Sequence, residues 1–347
     1  MQVDIRVPVG APIPRLADFI AGCEDAGFDG VGVNDHHHTG RDVYVALAAA
    51  AMRTTRLNLY PVTSNTVTRD PVVLAALASS LAELAPGRVL LSLAPGFLSV
   101  EKAGRARAPF GQLRQAVGTV RALLGGAEVS INGRGVRLLN RPAQPPKVYL
   151  LASGPRLLEA AGEVADGVMM LVGFHPAAVA RARGHIRAGA ARAGRDAGDI
   201  EEIFVVPFGL GEPDVASQWP RTYFRPGLPW LSYPSATKKI WLREAGITLA
   251  EDSRPEDIPA SVARRICDAL GLFGPPGHCA ERLLRAGEEV GVRRVFLFPE
   301  HTAETSYHLP VAEVAAFRDV IGPAVRAGCA AGGDDGWPRP HGRENPA

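Results

Sequence analysis

The chain has 347 residues, of which 46% are hydrophobic and 21% charged, a globular composition that excludes disorder of the whole chain. Lys and Arg total 38 against 36 Asp and Glu, a net +2, so the charge offers neither the basic face of a nucleic-acid binder nor a polybasic membrane anchor. Four cysteines (Cys23, Cys267, Cys279, Cys329) without a CxxC pair fit a reducing compartment. The absence of a secretory leader or a long apolar run predicts a cytoplasmic protein without a membrane span.

In chain order, short apolar runs alternate with helical patterns. Val3–Val9 predicts a strand and Leu16–Gly27 a helix. Gly30–Asp35, Arg56–Val62 and Arg88–Leu93 read as strands, separated by helices over Val43–Met52 and Pro71–Leu84. Asp70 is placed to cap the second of these helices, with Pro71 at its first position. Gln112–Leu124 is helical, and Val129–Leu139 is a hairpin turning at Asn132-Gly133. Strands follow at Lys147–Ala152, Gly167–Val172, Glu201–Leu210 and Arg293–Phe298, with helices over Pro155–Val164, Pro176–Ala193, Ala260–Leu270, Gly277–Val290 and Val311–Arg326. Eight strands interleaved with helices predict parallel pairing and a closed α/β architecture, the (β/α)8 TIM barrel. An open doubly wound sheet is the alternative. Residues 1–327 form one domain on this reading, with a hairpin insertion at about 127–141. A second insertion at about 211–255, after strand seven, carries Trp219, Tyr223, Phe224, Trp230, Tyr233 and Trp241 and is expected to form a lid. Residues 328–347 are expected to be a disordered tail.

Barrel chemistry sits at the C-terminal ends of the strands. Strand two ends in Asn34-Asp35 and three histidines. Asp35 is suited to orient a ring or sugar hydroxyl, and His36 to move a proton; His37 and His38 read as solvated loop residues. Ser153-Gly154-Pro155 opens a helix at the barrel mouth, where free N–H groups suit a phosphate. An ordinary tight turn has the same signature. Gly173 could complete the cradle. His36 and His38, with His175 and His301, also match a metal-dependent hydrolase site, although no carboxylate ligand accompanies them.

An ordered set of segments then resembles the bacterial luciferase-like superfamily, and within it the coenzyme F420-dependent branch that includes methylenetetrahydromethanopterin reductase. These are GFDGVGVNDH (27–36), NTVTRDP (65–71), LAPGRV (84–89), ASGPR (152–156), AGEVADG (161–167), GHCAERL (277–283) and GVRRV (291–295). The resemblance implies a β/α barrel, usually dimeric, acting on a small-molecule substrate with a deazaflavin at its mouth. It implies a bulge with a non-prolyl cis peptide at Val62-Thr63 behind the ring. Asp35 and Asn65 would contact the cofactor, Ser153, Gly154 and Pro155 would hold its phosphate with Gly173 nearby, and His36 would be the catalytic proton carrier. Lys102, Arg105 and Arg107 would attract the anionic tail. Phe97 stands where some members carry an acidic residue, which points to a less polar pocket. The expected activity is F420-dependent hydride transfer to a small organic substrate, with C=C or C=N reduction as the reaction envisaged. An FMN-dependent monooxygenase, a metal hydrolase and a barrel that only binds ligand are the alternatives.

Overall fold

The computed structural model describes residues 1–222, 235–250, 253–302 and 304–331. The first half holds strands β1 (Gln2–Val7), β2 (Gly30–Val33), β3 (Asn58–Pro61), β4 (Ser64–Asn65) and β5 (Leu90–Ala94). With them run helices α1 (Ile13–Asp25), α2 (Val43–Ala51), α3 (Pro71–Leu84), α4 (Leu98–Lys102) and α5 (Phe110–Leu124). The hairpin strands β6 (Val129–Ile131) and β7 (Arg134–Val136) follow, then β8 (Lys147–Ala152), α6 (Pro155–Val164), β9 (Gly167–Met170), α7 (Pro176–Arg192) and β10 (Glu201–Leu210). The rest comprises α8 (Pro213–Ala216), α9 (Trp219–Thr222), α10 (Ala236–Glu244), α11 (Ala260–Leu270), β11 (Leu272–Gly274), α12 (Pro276–Val290), β12 (Arg294–Pro299), α13 (Val311–Ala316) and α14 (Gly322–Ala331).

The expected barrel forms. Its strands run β3-β2-β1-β12-β10-β9-β8-β5-β4, every pairing parallel. β3 and β4 are two parts of one strand interrupted at Val62-Thr63, which is a cis peptide as the resemblance implied. The bridge Leu59–Val89 and the β4–β5 pairing close the circle.

Period-two alternation explains the two cores. Val3, Ile5, Leu59, Leu91, Leu93, Val148 and Leu150 turn outward to the helices. Tyr60, Leu90, Tyr149, Met169, Ile203, Val205 and Phe296 fill the lumen, so the barrel is packed solid. Below them the buried Asp4 accepts hydrogen bonds from the Tyr60 hydroxyl and from Arg294 Nε at 2.9 Å. This buried pair joins β1 to β12 across the seam.

Local chemistry sets the element ends. Asp70 accepts from Val72 N at 2.8 Å with Pro71 at the helix start, as the sequence requires. Asp42 caps α2 in the same way. Asn132 (φ 50°) and Gly133 (φ 77°) make the hairpin turn, both with the positive φ that a two-residue turn of this hand demands.

Several features depart from the sequence expectations. The short β11, pairing with β10, lies between two segments read as helices. The last helix is broken by a π-helical turn at Phe317–Ile321. It continues to Ala331, beyond the boundary set for the tail; residues 332–347 lie outside the described residues. The 211–255 segment contributes α8, α9 and α10, whereas Tyr223, Phe224, Trp230 and Tyr233 lie outside the described residues. Among the described residues, no helix is long and apolar enough to cross a membrane.

Candidate active site

The strands that end in the singled-out residues are neighbours. β2, β3/β4, β5, β8 and β9 form one continuous arc of the barrel rim. Asp35 and Asn65 come together on that arc. Asp35 is 1% exposed and its Oδ2 accepts from Ser64 Oγ at 2.8 Å and from Arg69 Nη1. Ser64 Oγ in turn lies 3.0 Å from the Tyr44 hydroxyl, and the Arg69 guanidinium lies over the Tyr44 ring. Burial pushes the Asp35 carboxyl up, but the contacts with His37 and Arg69 outweigh it and hold it below the usual carboxylate range. Its other oxygen, Oδ1, is buried without a hydrogen-bond partner among the described residues. His37 Nδ1 lies 3.2 Å from it, close enough for charge attraction but off the line of a hydrogen bond.

Asn65 is fully buried and spends its oxygen inside its own loop, on Val67 N, Thr68 N and Thr68 Oγ1 at 2.9 to 3.1 Å. Its Nδ2 reaches Ser99 Oγ at 3.4 Å, which ties β4 to the start of α4, just past the loop after β5. In that loop Phe97 is partly exposed and lies beneath the Arg107 guanidinium at 4.3 Å.

His36 points its Nδ1 at the Tyr307 hydroxyl, 2.9 Å away. Burial, helped by the Arg6 charge, lowers its pKa to about 4, so the imidazole is neutral at neutral pH. Of the two histidines read as solvated, His38 is exposed and His37 half-buried, and both find partners. His37 bonds Thr68 Oγ1 at 2.9 Å, and His38 Nε2 shares the Tyr307 hydroxyl at 2.8 Å. Loop polar groups here find one another because three rims converge on them. Among the described residues no three His, Cys, Asp or Glu side chains stand together to hold a metal ion. The two imidazoles that the hydrolase reading required are turned to a phenol instead.

On the other side of the arc, Gly154 starts α6 without a side-chain cap and Pro155 occupies the first turn. Ser153 gives its carbonyl to Trp241 Nε1 at 2.8 Å, and Thr237 stands against Gly154, where a β-carbon would come within 2.8 Å of its methyl. Helix α10 of the 211–255 segment therefore covers this turn. Its Lys238 sends Nζ to the Leu171 carbonyl at 2.9 Å, and burial lowers that amine to about 7. Gly173 has φ 75°, and a β-carbon there would sit 2.2 Å from the Ala269 carbonyl, so packing against α11 demands the glycine. Replacing Trp241 with Phe removes the bond to Ser153 and leaves a half-buried carbonyl unpaired. A stability loss of about 1–3 kcal/mol is expected from urea unfolding, and an unchanged midpoint would count against the bond.

Arg69, Lys238 and Tyr307 had not been singled out in the sequence. Arg69 lies inside a quoted segment, but its buried pairing depends on Asp35, 34 positions away. Tyr307 meets His36 across 271 positions, and no local pattern announces such a contact. At the ends of β1 and β12 a cavity of about 290 Å³ opens, lined by Arg6, Glu300, His301, His308 and Glu313 among others. Burial and the Glu313 charge push the Glu300 carboxyl up to about 7.

These features belong to a known class. The family profile described as luciferase-like monooxygenase matches residues 2–294, and the chain belongs to that family. It is 32% identical over 300 residues to a 5,10-methylenetetrahydromethanopterin reductase of Methanolobus tindarius, covering 82% of this chain and 90% of that protein. It is 35% identical over 170 residues to an F420-dependent glucose-6-phosphate dehydrogenase of Beutenbergia cavernae, 43% of this chain and 50% of that one. In fold it is similar to the coenzyme F420-dependent tetrahydromethanopterin reductase of Methanopyrus kandleri, with a TM-score of 0.66 at 18% identity over 93% of this chain and 98% of that chain. It is equally similar to an F420-dependent secondary alcohol dehydrogenase solved with an F420-acetone adduct, with a TM-score of 0.68 at 17% identity over 94% of this chain and 99% of that chain.

Proposed function

We propose that the protein is a coenzyme F420-dependent oxidoreductase that moves hydride between the deazaflavin and a small organic substrate. The observation that carries this reading is the likeness to a reductase named for methylenetetrahydromethanopterin across 82% of the chain, with further F420-dependent enzymes among the relatives.

The residues present fit the cofactor. Asp35 Oδ1, buried beside His37 and without a hydrogen bond of good geometry among the described residues, offers an acceptor at the rim. The uncapped start of α6 offers N–H groups to a phosphate. Lys238 uses one of its three donors and pairs with no carboxylate among the described residues. Asp35, with the Val62-Thr63 bulge and the loop of Asn65, would bound the ring. Ser153, Gly154 and Pro155, with Gly173 behind them and Lys238 above, would hold the phosphate. Lys102, Arg105 and Arg107 would face the anionic tail.

When bound, F420 supplies a ring carbon that carries hydride. The chain's own work is to position the reacting carbons and manage a proton. His36 does the second. Being neutral, it accepts a proton from a substrate as hydride departs, and returns it in the reverse direction. The cavity beside Arg6 and Glu300 is where the substrate would enter, bounded by groups able to accept or give hydrogen bonds. Titrating the purified protein with F420 and with FMN, each followed by fluorescence, tests the reading. Saturable F420 binding with weaker FMN binding is expected. Tight FMN binding without F420 binding would replace it with the oxygenase chemistry of other luciferase-like proteins.

A further inference from the structure

We infer that the Tyr307 hydroxyl is a two-position proton link between His36 in the mouth and His38 at the surface. This rests on the reading of His36 as the proton carrier.

The geometry is that of one hydroxyl between two ring nitrogens, 2.9 Å from His36 Nδ1 and 2.8 Å from His38 Nε2. The phenol meets both imidazoles edge-on, at interplanar angles of 74° and 79°. A hydroxyl has one proton, so it donates to one histidine and accepts from the other. When it donates to His38, His36 carries its proton on Nδ1 and presents a bare Nε2. When it donates to His36, His36 carries its proton on Nε2 and becomes a donor there. The same heavy-atom positions satisfy both arrangements.

Transfer through the link balances without electrons. A substrate proton bonds to His36 Nε2. The His36 Nδ1–H bond breaks and its proton joins the Tyr307 oxygen. The phenol's own proton passes to His38 Nε2, and His38, now doubly protonated, gives its Nδ1 proton to water. One proton enters, one leaves, and every group ends neutral. The reverse sequence delivers a proton for reduction.

The link is built to hold its place. Arg6 donates from Nη2 to the Ser306 carbonyl at 2.9 Å and from Nε to Asn34 Oδ1 at 2.8 Å, which ties the Tyr307 loop to the β1 and β2 rims. Gly10 makes room for it, since a β-carbon there would fall 1.9 Å from the Tyr307 carbonyl oxygen. The other charged and titratable groups bearing on the pair are Asp35, Arg6, His37 and Lys102. Burial first, then the Lys102 and His37 charges, lowers the His38 pKa and favours release of the proton to solvent.

The test is 15N NMR of the imidazole rings during a pH titration of the wild type, Tyr307→Phe and His38→Gln. In the wild type the His36 nitrogen shifts should move together with the protonation of His38. That shared step should vanish in both variants, while the F420 affinity stays within about twofold in all three proteins. His36 signals that ignore His38 in the wild type overturn the link, as does a shared step of undiminished size in Tyr307→Phe. Failure of F420 to bind the wild type would sink the functional reading, and the NMR result would still decide the link.

Discussion

Asp35→Ala should unfold the protein far more readily, with a loss of about 3–5 kcal/mol in urea unfolding at neutral pH. The reason is the charge it would strand. The Arg69 side chain is 10% exposed and is held by Asp35 and by the more exposed Asp42. Without Asp35, a buried guanidinium keeps one half-exposed partner, and Ser64 loses its acceptor. His36→Ala should show the opposite pattern, with folding largely kept and proton transfer lost, because removing a neutral imidazole strands no buried charge. The pH dependence has a definite sign. The folded Asp35 carboxyl is held below its unfolded value of about 3.9, so its stabilisation is fully present above that value. It disappears as pH falls through the lower folded value, and Asp35→Asn should flatten this part of the acid limb. A loss below about 1 kcal/mol for Asp35→Ala would mean that the pair behaves as a surface ion pair.

The second large effect concerns Lys238→Gln, which should weaken F420 by about 10- to 100-fold, the worth of a charge-assisted bond to an anion. An amine lowered to about 7 is only partly charged at neutral pH, and binding a phosphate must recharge it. Wild-type affinity should therefore fall as pH rises above about 7, by at most about tenfold per unit, while the variant's affinity stays flat over the same range. For folding the sign is reversed. The buried amine binds protons less well than in the unfolded chain, where its pKa is about 10.4, so stability rises with pH between the two values. Isothermal titration of F420 at several pH values reads the first effect. An equal loss of affinity for F420 and for its phosphate-free deazaflavin core would show that Lys238 only shapes the rim.

The barrel was legible because its strands are short, apolar and evenly spaced, and caps such as Asp70-Pro71 mark the helix starts. The arc of candidate site residues was legible because barrels carry chemistry at strand ends. The partners of those residues were not. Asn65 reads as a ligand residue, yet its oxygen organises its own turn. Gly173 reads as a ligand cradle, yet its backbone sign and lack of a side chain serve packing on α11. Lys238 looks like any helix lysine until α10 is laid over Ser153 and Gly154. The break at Phe317–Ile321 inserts an extra residue in a turn without altering the apolar period enough to announce itself.

The buried pairing of Asp4 with Arg294 spans 290 positions and fastens the first strand to the last. During synthesis β1 therefore has a neighbour on one side only until β12 has left the ribosome. Val3, Ile5 and Val7 wait with an open edge, and the carboxylate waits without its counter-ion. Closure of the cylinder is a late, long-range event, slowed by the entropy of a very large loop. Translation stalled before Arg294 would leave an unsealed sheet whose open edge invites chaperones or pairing between nascent chains.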